Sequence, residues 1–311
     1  MLIGGLAVAM LLFTGVTPAH ALSVKVNRNL IPRSGALWGA YVGNARGQRH
    51  MSAVRAFERR IGFRLSIDNQ YRPWDSTTWV GEAEDLRAGR VPLISWTARG
   101  TTAARIASGA DDRHLRRVAR GLRALHHRVF LRFAYEMDQP RHGRRYIGPP
   151  DQFIHAWRHT YRLFHAMGAL NVRFVWCPIA ADFETGRAQA YYPGNHYVNW
   201  IAADGYNWYP AKRTWSQPGD IFKTWYRWAS RRPRPLMIAE VGVMEDPHHP
   251  ARKAAWLTRF RSWVRARPHI KAVSYFSAVS PKGYHFQVTT SHDSLRAFRR
   301  WGRDPYFHPF G

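Results

Sequence analysis

The 311-residue sequence predicts one (β/α)8 barrel, and three observations lead there. Short, almost continuously apolar runs recur along the chain, longer Arg-rich amphipathic stretches separate them, and no Ser/Gly linker or shift of composition divides them. Runs of that kind between helical patterns are the expected signature of parallel strands covered on both faces. A hydrophobic fraction of 45% suffices for one large core, which excludes a disordered tail or a small disulfide scaffold. The rival architecture, a doubly wound open sheet, requires a Gly-rich phosphate turn after an early strand, and GNARG at 43–47 lacks that form.

The chain opens with MLIGGLAVAMLLFTGVTPAHALS, an apolar run from Leu2 to about Val16 followed by Ala19-His20-Ala21. The run is short for a membrane span and ends in a small-x-small triplet, so residues 1–21 read as a secretory signal peptide and the mature chain as secreted. No Lys or Arg precedes the run, which leaves a retained anchor as the other reading. Residues 22–35 then form an N-terminal extension and 36–311 the barrel domain. Eight strands are expected: Leu37 to Val42, Arg64 to Ile67, Pro92 to Trp96, Val129 to Phe133, Arg173 to Trp176, Trp200 to Ala203, Leu236 to Ala239 and Ala272 to Phe276. Helices are expected over Met51 to Arg60, Asp112 to His126, Pro150 to Met167, Asp220 to Arg231 and Pro250 to Ala266. In the third of these, Phe153, Trp157, Tyr161 and Phe164 recur at helical spacing and make one face apolar.

In a barrel of this type the chemistry sits where the strands end, at the C-terminal face. Reading those ends in order gives Tyr41, Asp68, Trp96, Tyr135 with Glu136, Trp176, Asp204 to Trp208, Glu240, and Tyr275 with Phe276. Two glutamates, 104 residues apart, thus share a rim with a collar of aromatics. Paired carboxylates suit glycoside cleavage, where one group protonates the leaving oxygen and the other attacks the anomeric carbon. Aromatic rings suit the apolar faces of sugars. Arg132, inside the fourth strand, needs an anionic partner if it is buried. A catalytic carboxylate and a structural acid such as Asp68 or Asp204 are equal candidates.

The segments LRFAYEMD, PPDQFIHAWRHTYRLFHAMGALNVRFVWCP, YYPGNHYVNWIAADGYNW and RPLMIAEVG resemble glycoside hydrolase family 26, the β-mannanase family of the large (β/α)8 glycosidase clan, over about residues 36 to 280. The resemblance implies that Glu136 is the acid/base and Glu240 the nucleophile, that Tyr206 hydrogen-bonds the nucleophile and that Trp208 lines the sugar site. It implies a secreted retaining endo-β-glycosidase acting on a polysaccharide such as β-1,4-mannan. Typical members carry His immediately before the acid/base, where this chain has Tyr135, and Asn-Gly after it, where this chain has Asp138-Gln139-Pro140-Arg141-His142. Arg141, Arg144 and Arg145 beside the site point toward an acidic or substituted polysaccharide. β-Glucan, β-1,3-xylan and uronic-acid polymers are alternative substrates, and a barrel that binds polysaccharide without cleaving it is the reading from a different class.

The formal charge of +27 comes mostly from Arg spread along helical segments such as Arg113 to Arg123, the pattern of a solvated helical surface as well as of a polyanion contact. The aromatics fall at strand ends and are not interleaved with Arg, so no nucleic-acid partner is expected. No metal or other cofactor is expected either: the His126-His127 and His248-His249 pairs lack ligand spacing. No G-x-S-x-G elbow occurs. The single cysteine, Cys177, reads as a small buried hydrophobe. Nothing in the sequence indicates an oligomeric state.

Overall fold

The computed structural model describes residues 27–140, 143 and 145–307, so the signal segment, Arg141 and Arg144 lie outside the described residues. Eight strands, β1 (Leu37–Val42), β2 (Ile67–Arg72), β3 (Val91–Trp96), β4 (Val129–Phe133), β5 (Val172–Trp176), β6 (Trp200–Asn207), β7 (Leu236–Val243) and β8 (Ile270–Ser277), close in chain order into one barrel. Every neighbouring pair is parallel, including the closing pair β1 and β8. Around them lie α1 (His50–Ile61), α2 (Val80–Arg87), α3 (Ala103–Ala107), α4 (Asp112–Arg123), α5 (Pro150–Ala166), α6 (Arg187–Ala190), α7 (Pro218–Ala229), α8 (Arg252–Arg265) and α9 (His292–Gly302). The (β/α)8 expectation therefore holds. Among the described residues no helix is long and apolar enough to cross a membrane.

Strand side chains alternate between two environments, as the pleat requires. Leu37, Ile67, Leu93, Phe130, Val175, Trp200, Met237 and Ala272 pack inside the barrel. Their neighbours, among them Trp38, Ile94, Leu131, Phe174, Ile201 and Val273, pack outward under the helices. The chain before β1 closes the N-terminal end: Leu30 joins the interior cluster and the Asn29 carbonyl accepts a 2.8 Å bond from Trp200 Nε1. On α4 the alternation becomes a helical stripe, with Leu115, Val118, Ala119 and Leu122 buried and Arg113, Arg116, Arg117, Arg120 and Arg123 exposed. Much of the positive charge is thus the outer surface of helices.

β2 departs most from expectation. It begins at Ile67, where Arg64 to Ile67 had been expected to end, and reads IDNQYR. Its outward-facing polar groups, Asp68 and Gln70 buried and Arg72 partly so, find partners on α1 and α2: Arg72 Nε lies 2.6 Å from Glu82 Oε1, Gln70 Nε2 lies 2.5 Å from Asp85 Oδ2 and His50 Nε2 lies 2.8 Å from Asp68 Oδ2. A strand whose polar groups satisfy one another is invisible to a search for apolar runs. β6, β7 and β8 also extend four, four and one residues beyond their expected C-terminal ends, Ala203, Ala239 and Phe276. These extra residues form the mouth.

Gly39 marks a tight point of closure. A Cβ there would stand 2.3 Å from the Ile67 carbonyl oxygen and 2.5 Å from Ile67 Cβ, between β1 and β2. Backbone cannot move aside as a side-chain tip does, so Gly39→Ala should cost about 1–3 kcal/mol, read as a lower urea midpoint; an unchanged midpoint would contradict this packing.

Candidate active site

Glu136 follows β4, and an unusual backbone holds it there. Ala134 and Glu136 both adopt positive φ, 45° and 53°, in the left-handed region that L residues rarely occupy. The Ala134 amide donates to the Trp96 carbonyl at 2.9 Å and the Glu136 amide to the Cys177 carbonyl at 2.8 Å, so the ends of β3 and β5 stabilise the turn. Strained non-glycine residues of this kind persist where the surroundings over-determine them, typically at functional sites.

Glu240 reaches the same mouth by a different irregularity. Along β7, Met237 and Ala239 face the barrel interior, and simple alternation would send Glu240 outward. Registers to both neighbours slip here: Ala203 pairs with Ile238 but Asp204 with Glu240, while Ile238 pairs with Val273 and Val241 with Tyr275. One extra residue in β7 forms a bulge and re-aims Glu240 inward. Carboxylate oxygens of Glu136, Asp204 and Glu240 consequently lie within 4.8 Å of one another.

The charge among these acids is supplied by Arg132. Its buried guanidinium donates through Nη1 to Asp204 Oδ2 at 2.6 Å, through Nε to Ser95 Oγ at 2.9 Å and through Nη2 to Glu240 Oε1. Both partners proposed for Arg132 from sequence, a catalytic carboxylate and the structural acid Asp204, are therefore engaged at once, while Asp68 lies outside the barrel with His50. Three acids could hold a cation, and a guanidinium fills that role. Glu240 also accepts from the hydroxyls of Tyr71 and Tyr206. Burial pushes its carboxyl up, but Arg132 and the two tyrosine hydrogen bonds outweigh burial and hold it below the usual range. Glu136 goes the other way: burial raises its carboxyl, and although Arg145, whose Nε lies 2.9 Å from Glu136 Oε2, pulls it down, the Glu240 charge adds to the rise. Two neighbouring carboxyls driven apart in this way are equipped for different proton roles.

A cleft of about 1070 Å³ opens over the pair, lined among others by Tyr41, Tyr71, Arg145, Tyr206, Trp208 and Phe276. The other aromatics expected at the rim do not reach it. Trp96, Trp176 and Tyr275 are fully buried on the outer, helix-facing side of the barrel. Trp96 stacks on Trp74 with centroids 4.8 Å apart, Trp176 Nε1 donates to the Tyr191 carbonyl at 3.1 Å, and the Tyr275 hydroxyl donates to the Phe286 carbonyl at 2.8 Å. Strand parity sends them there, since each follows an inward residue: Ser95, Val175 and Ser274. Tyr135 is buried too, with the guanidiniums of Arg132 and Arg145 lying 4.2 Å and 3.9 Å from its ring centroid. Tyr41, read at the end of the first strand, does line the cleft, and the residue that sequence reading missed is Tyr71. Tyr71 was lost with the polar strand β2; an aromatic two residues on from Asn69 in an alternating strand was the available signal.

No family model matches the chain. Of curated proteins, endoglucanase H of Acetivibrio thermocellus is 26% identical over 288 residues, covering 86% of this chain and 30% of that protein. The β-1,3-xylanase TXYA of a Vibrio species is 27% identical over 141 residues, covering 43% of this chain and 28% of that protein. The chain thus spans less than a third of the length of these relatives. Among solved structures, the GH26 β-mannanase of Bacteroides ovatus superposes with a TM-score of 0.64 at 14% identity, covering 88% of this chain and 90% of that one. GH26C of Muricauda sp. gives 0.63 at 15%, covering 90% and 88%, and a modular endo-β-1,4-mannanase of Cellulomonas fimi gives 0.61 at 14%, covering 92% and 76%. The fold and site define a (β/α)8 barrel with two glutamates converging at its mouth. In three dimensions the resemblance to glycoside hydrolase family 26 read from the sequence extends over about nine-tenths of the chain.

Arg132→Met should leave Asp204 and Glu240 buried without their cation, at a cost of about 3–5 kcal/mol. Chemical denaturation measures this, and a loss below about 1 kcal/mol would show that the triad does not hold the mouth together.

Proposed function

We propose that this chain hydrolyses a β-linked polysaccharide by double displacement, with Glu136 as acid/base and Glu240 as nucleophile. The observation that carries the reading is the closeness of the two carboxyls, whose oxygens lie within 4.8 Å, together with their opposed electrostatics. Retaining glycosidases hold their pair about 5–5.5 Å apart, whereas inverting enzymes leave about 6.5–9.5 Å for a water. In the first step Glu136 gives its proton to the glycosidic oxygen while ionised Glu240 attacks the anomeric carbon; the bond to the leaving sugar breaks and a glycosyl ester forms on Glu240. Water then attacks that carbon, Glu136 takes its proton, and Glu240 leaves as carboxylate. Tyr71 and Tyr206 stay protonated, because burial raises both hydroxyls well above their ordinary value, and they orient the nucleophile as donors. Trp208 and Phe276 in the cleft wall offer faces for sugar rings.

The similar proteins are named for β-mannan, β-1,3-xylan and glucan chemistry, which supports a β-linked backbone such as β-1,4-mannan. The cleft, about 1070 Å³, stands at the upper end of the range of about 300–1,000 Å³ usual for small-ligand pockets, which supports an occupant larger than a single sugar. Export through the segment at 1–21 would place the enzyme with polymers outside the cell.

Glu240→Ala should abolish reducing-end release from every β-linked glycan that the parent cuts, and proton NMR of the parent reaction should detect the retained anomer first. Release unaffected by Glu240→Ala, or first appearance of the inverted anomer, would overturn the mechanism. For kcat/KM, the acid limb should fall below the ordinary glutamate range, since Glu240 is depressed and must be ionised. The alkaline limb should fall above it, since Glu136 is raised and must be protonated. A profile with neither limb displaced would contradict the assigned roles.

A further inference from the structure

The proposed acid/base carries an unusual companion. Arg145 stacks over Tyr135, where the family resemblance leads one to expect His, and ion-pairs through Nε with Glu136 Oε2 at 2.9 Å. Its side chain is 30% exposed and lines the cleft, and its two Nη groups find no acceptor among the described residues. A general acid must present a proton, yet a carboxyl gripped by a guanidinium is favoured in the ionised state. Burial and the Glu240 charge keep the Glu136 carboxyl raised overall, and Arg145 holds it lower than it would otherwise stand, so the arginine works against the acid role of the first step without reversing it. A second anion that took over Arg145 would remove that opposition.

The rest of the cleft fits such an anion. Only six lysines occur in the chain, at 25, 212, 223, 253, 271 and 282, and two of them, Lys212 and Lys282, line this cleft. Both are exposed, and neither ammonium pairs with an acid among the described residues. Beyond the central acids, Glu184 and Asp220 also line it; Asp220 is engaged, accepting from the Gln217 amide at 2.9 Å at the start of α7. Because the chain's cations are overwhelmingly Arg on outer helix faces, two lysines and a partly exposed arginine at the mouth form a separate feature.

We infer that Arg145 is a specificity-determining residue that binds the carboxylate of a uronic-acid unit on the leaving-group side of Glu136, releasing Glu136 to act as acid, so that the preferred substrate is a β-linked polysaccharide bearing uronic acids. This rests on the glycosidase reading above. A guanidinium takes a carboxylate in a bidentate fork, which an Nη edge with no acceptor among the described residues permits. Lys212 and Lys282 add attraction along the chain without fixing its register.

The test compares a β-1,4-linked uronic-acid polymer, the same polymer after reduction of its carboxyls, and a sulfated neutral glycan, with parent and Arg145→Gln proteins whose melting curves agree. The parent should favour the uronate over its reduced form at least tenfold in kcat/KM, with the preference falling as salt rises. Arg145→Gln should erase that ratio chiefly through KM. On the reduced polymer its alkaline limb should move up, because the arginine that pulls the Glu136 carboxyl down is gone. Equal parental rates on the two polymers, or a ratio unchanged in Arg145→Gln, overturn the inference while leaving the glycosidase intact; so does a parental preference for the sulfated glycan, which would make the anion a sulfate. No parental activity on any polymer, neutral or anionic, overturns the glycosidase reading itself.

Discussion

The mouth of the barrel depends on one buried cation. Arg132 sits inside β4 with no exposure and touches Ser95 of β3, Asp204 of β6 and Glu240 of β7. Removing a guanidinium from water is costly, and only anionic partners at hydrogen-bonding distance offset that cost. Each partner therefore constrains the others. Asp204 and Glu240 tolerate burial a few ångströms apart because Arg132 lies between them, and Arg132 tolerates burial because both are there. Cys177 completes the shell as a thiol donor, its Sγ 3.1 Å from Asp204 Oδ1, and burial keeps it protonated.

The triad in turn requires backbone that regular strands do not provide. Glu240 faces inward only because β7 holds one residue more than its neighbours at that level. Glu136 reaches across only because Ala134 and Glu136 accept left-handed geometry, with their amides caught by the strands on either side. Both irregularities occur at the C-terminal ends of strands, where the next loop can absorb the offset. Below that level the barrel interior is apolar.

Two arginines then act on two glutamates in different ways. Arg132 is locked in and lowers Glu240 permanently. Arg145 reaches Glu136 from a loop, is part exposed, and, like Arg132, packs against the Tyr135 ring. The Tyr135 ring is a favourable cation-π contact for both guanidiniums. The wide positive surface elsewhere, such as the Arg face of α4, is not part of this arrangement.

How much of this was legible in the chain depends on which physical period was followed. Apolar runs and helical stripes disclosed the barrel, the positions of seven strands and the two glutamates at their ends, because burial of parallel strands demands such runs. β2 was shifted, since its burial is offset by ion pairs with α1 and α2 that have no local signature. Trp96, Trp176 and Tyr275 were expected at the mouth and lie behind it, because proximity to a strand end does not say which face a side chain takes; the period of two does, counted from inward Ser95, Val175 and Ser274. The same count misleads at Glu240, where the bulge reverses it. Sequence by itself thus determined the architecture and the carriers of charge, for these follow from composition and spacing. Tertiary structure alone decided which charges meet, since the meeting of Arg132 with Asp204 and Glu240, and of Arg145 with Glu136, is set by register and backbone geometry that no single segment encodes.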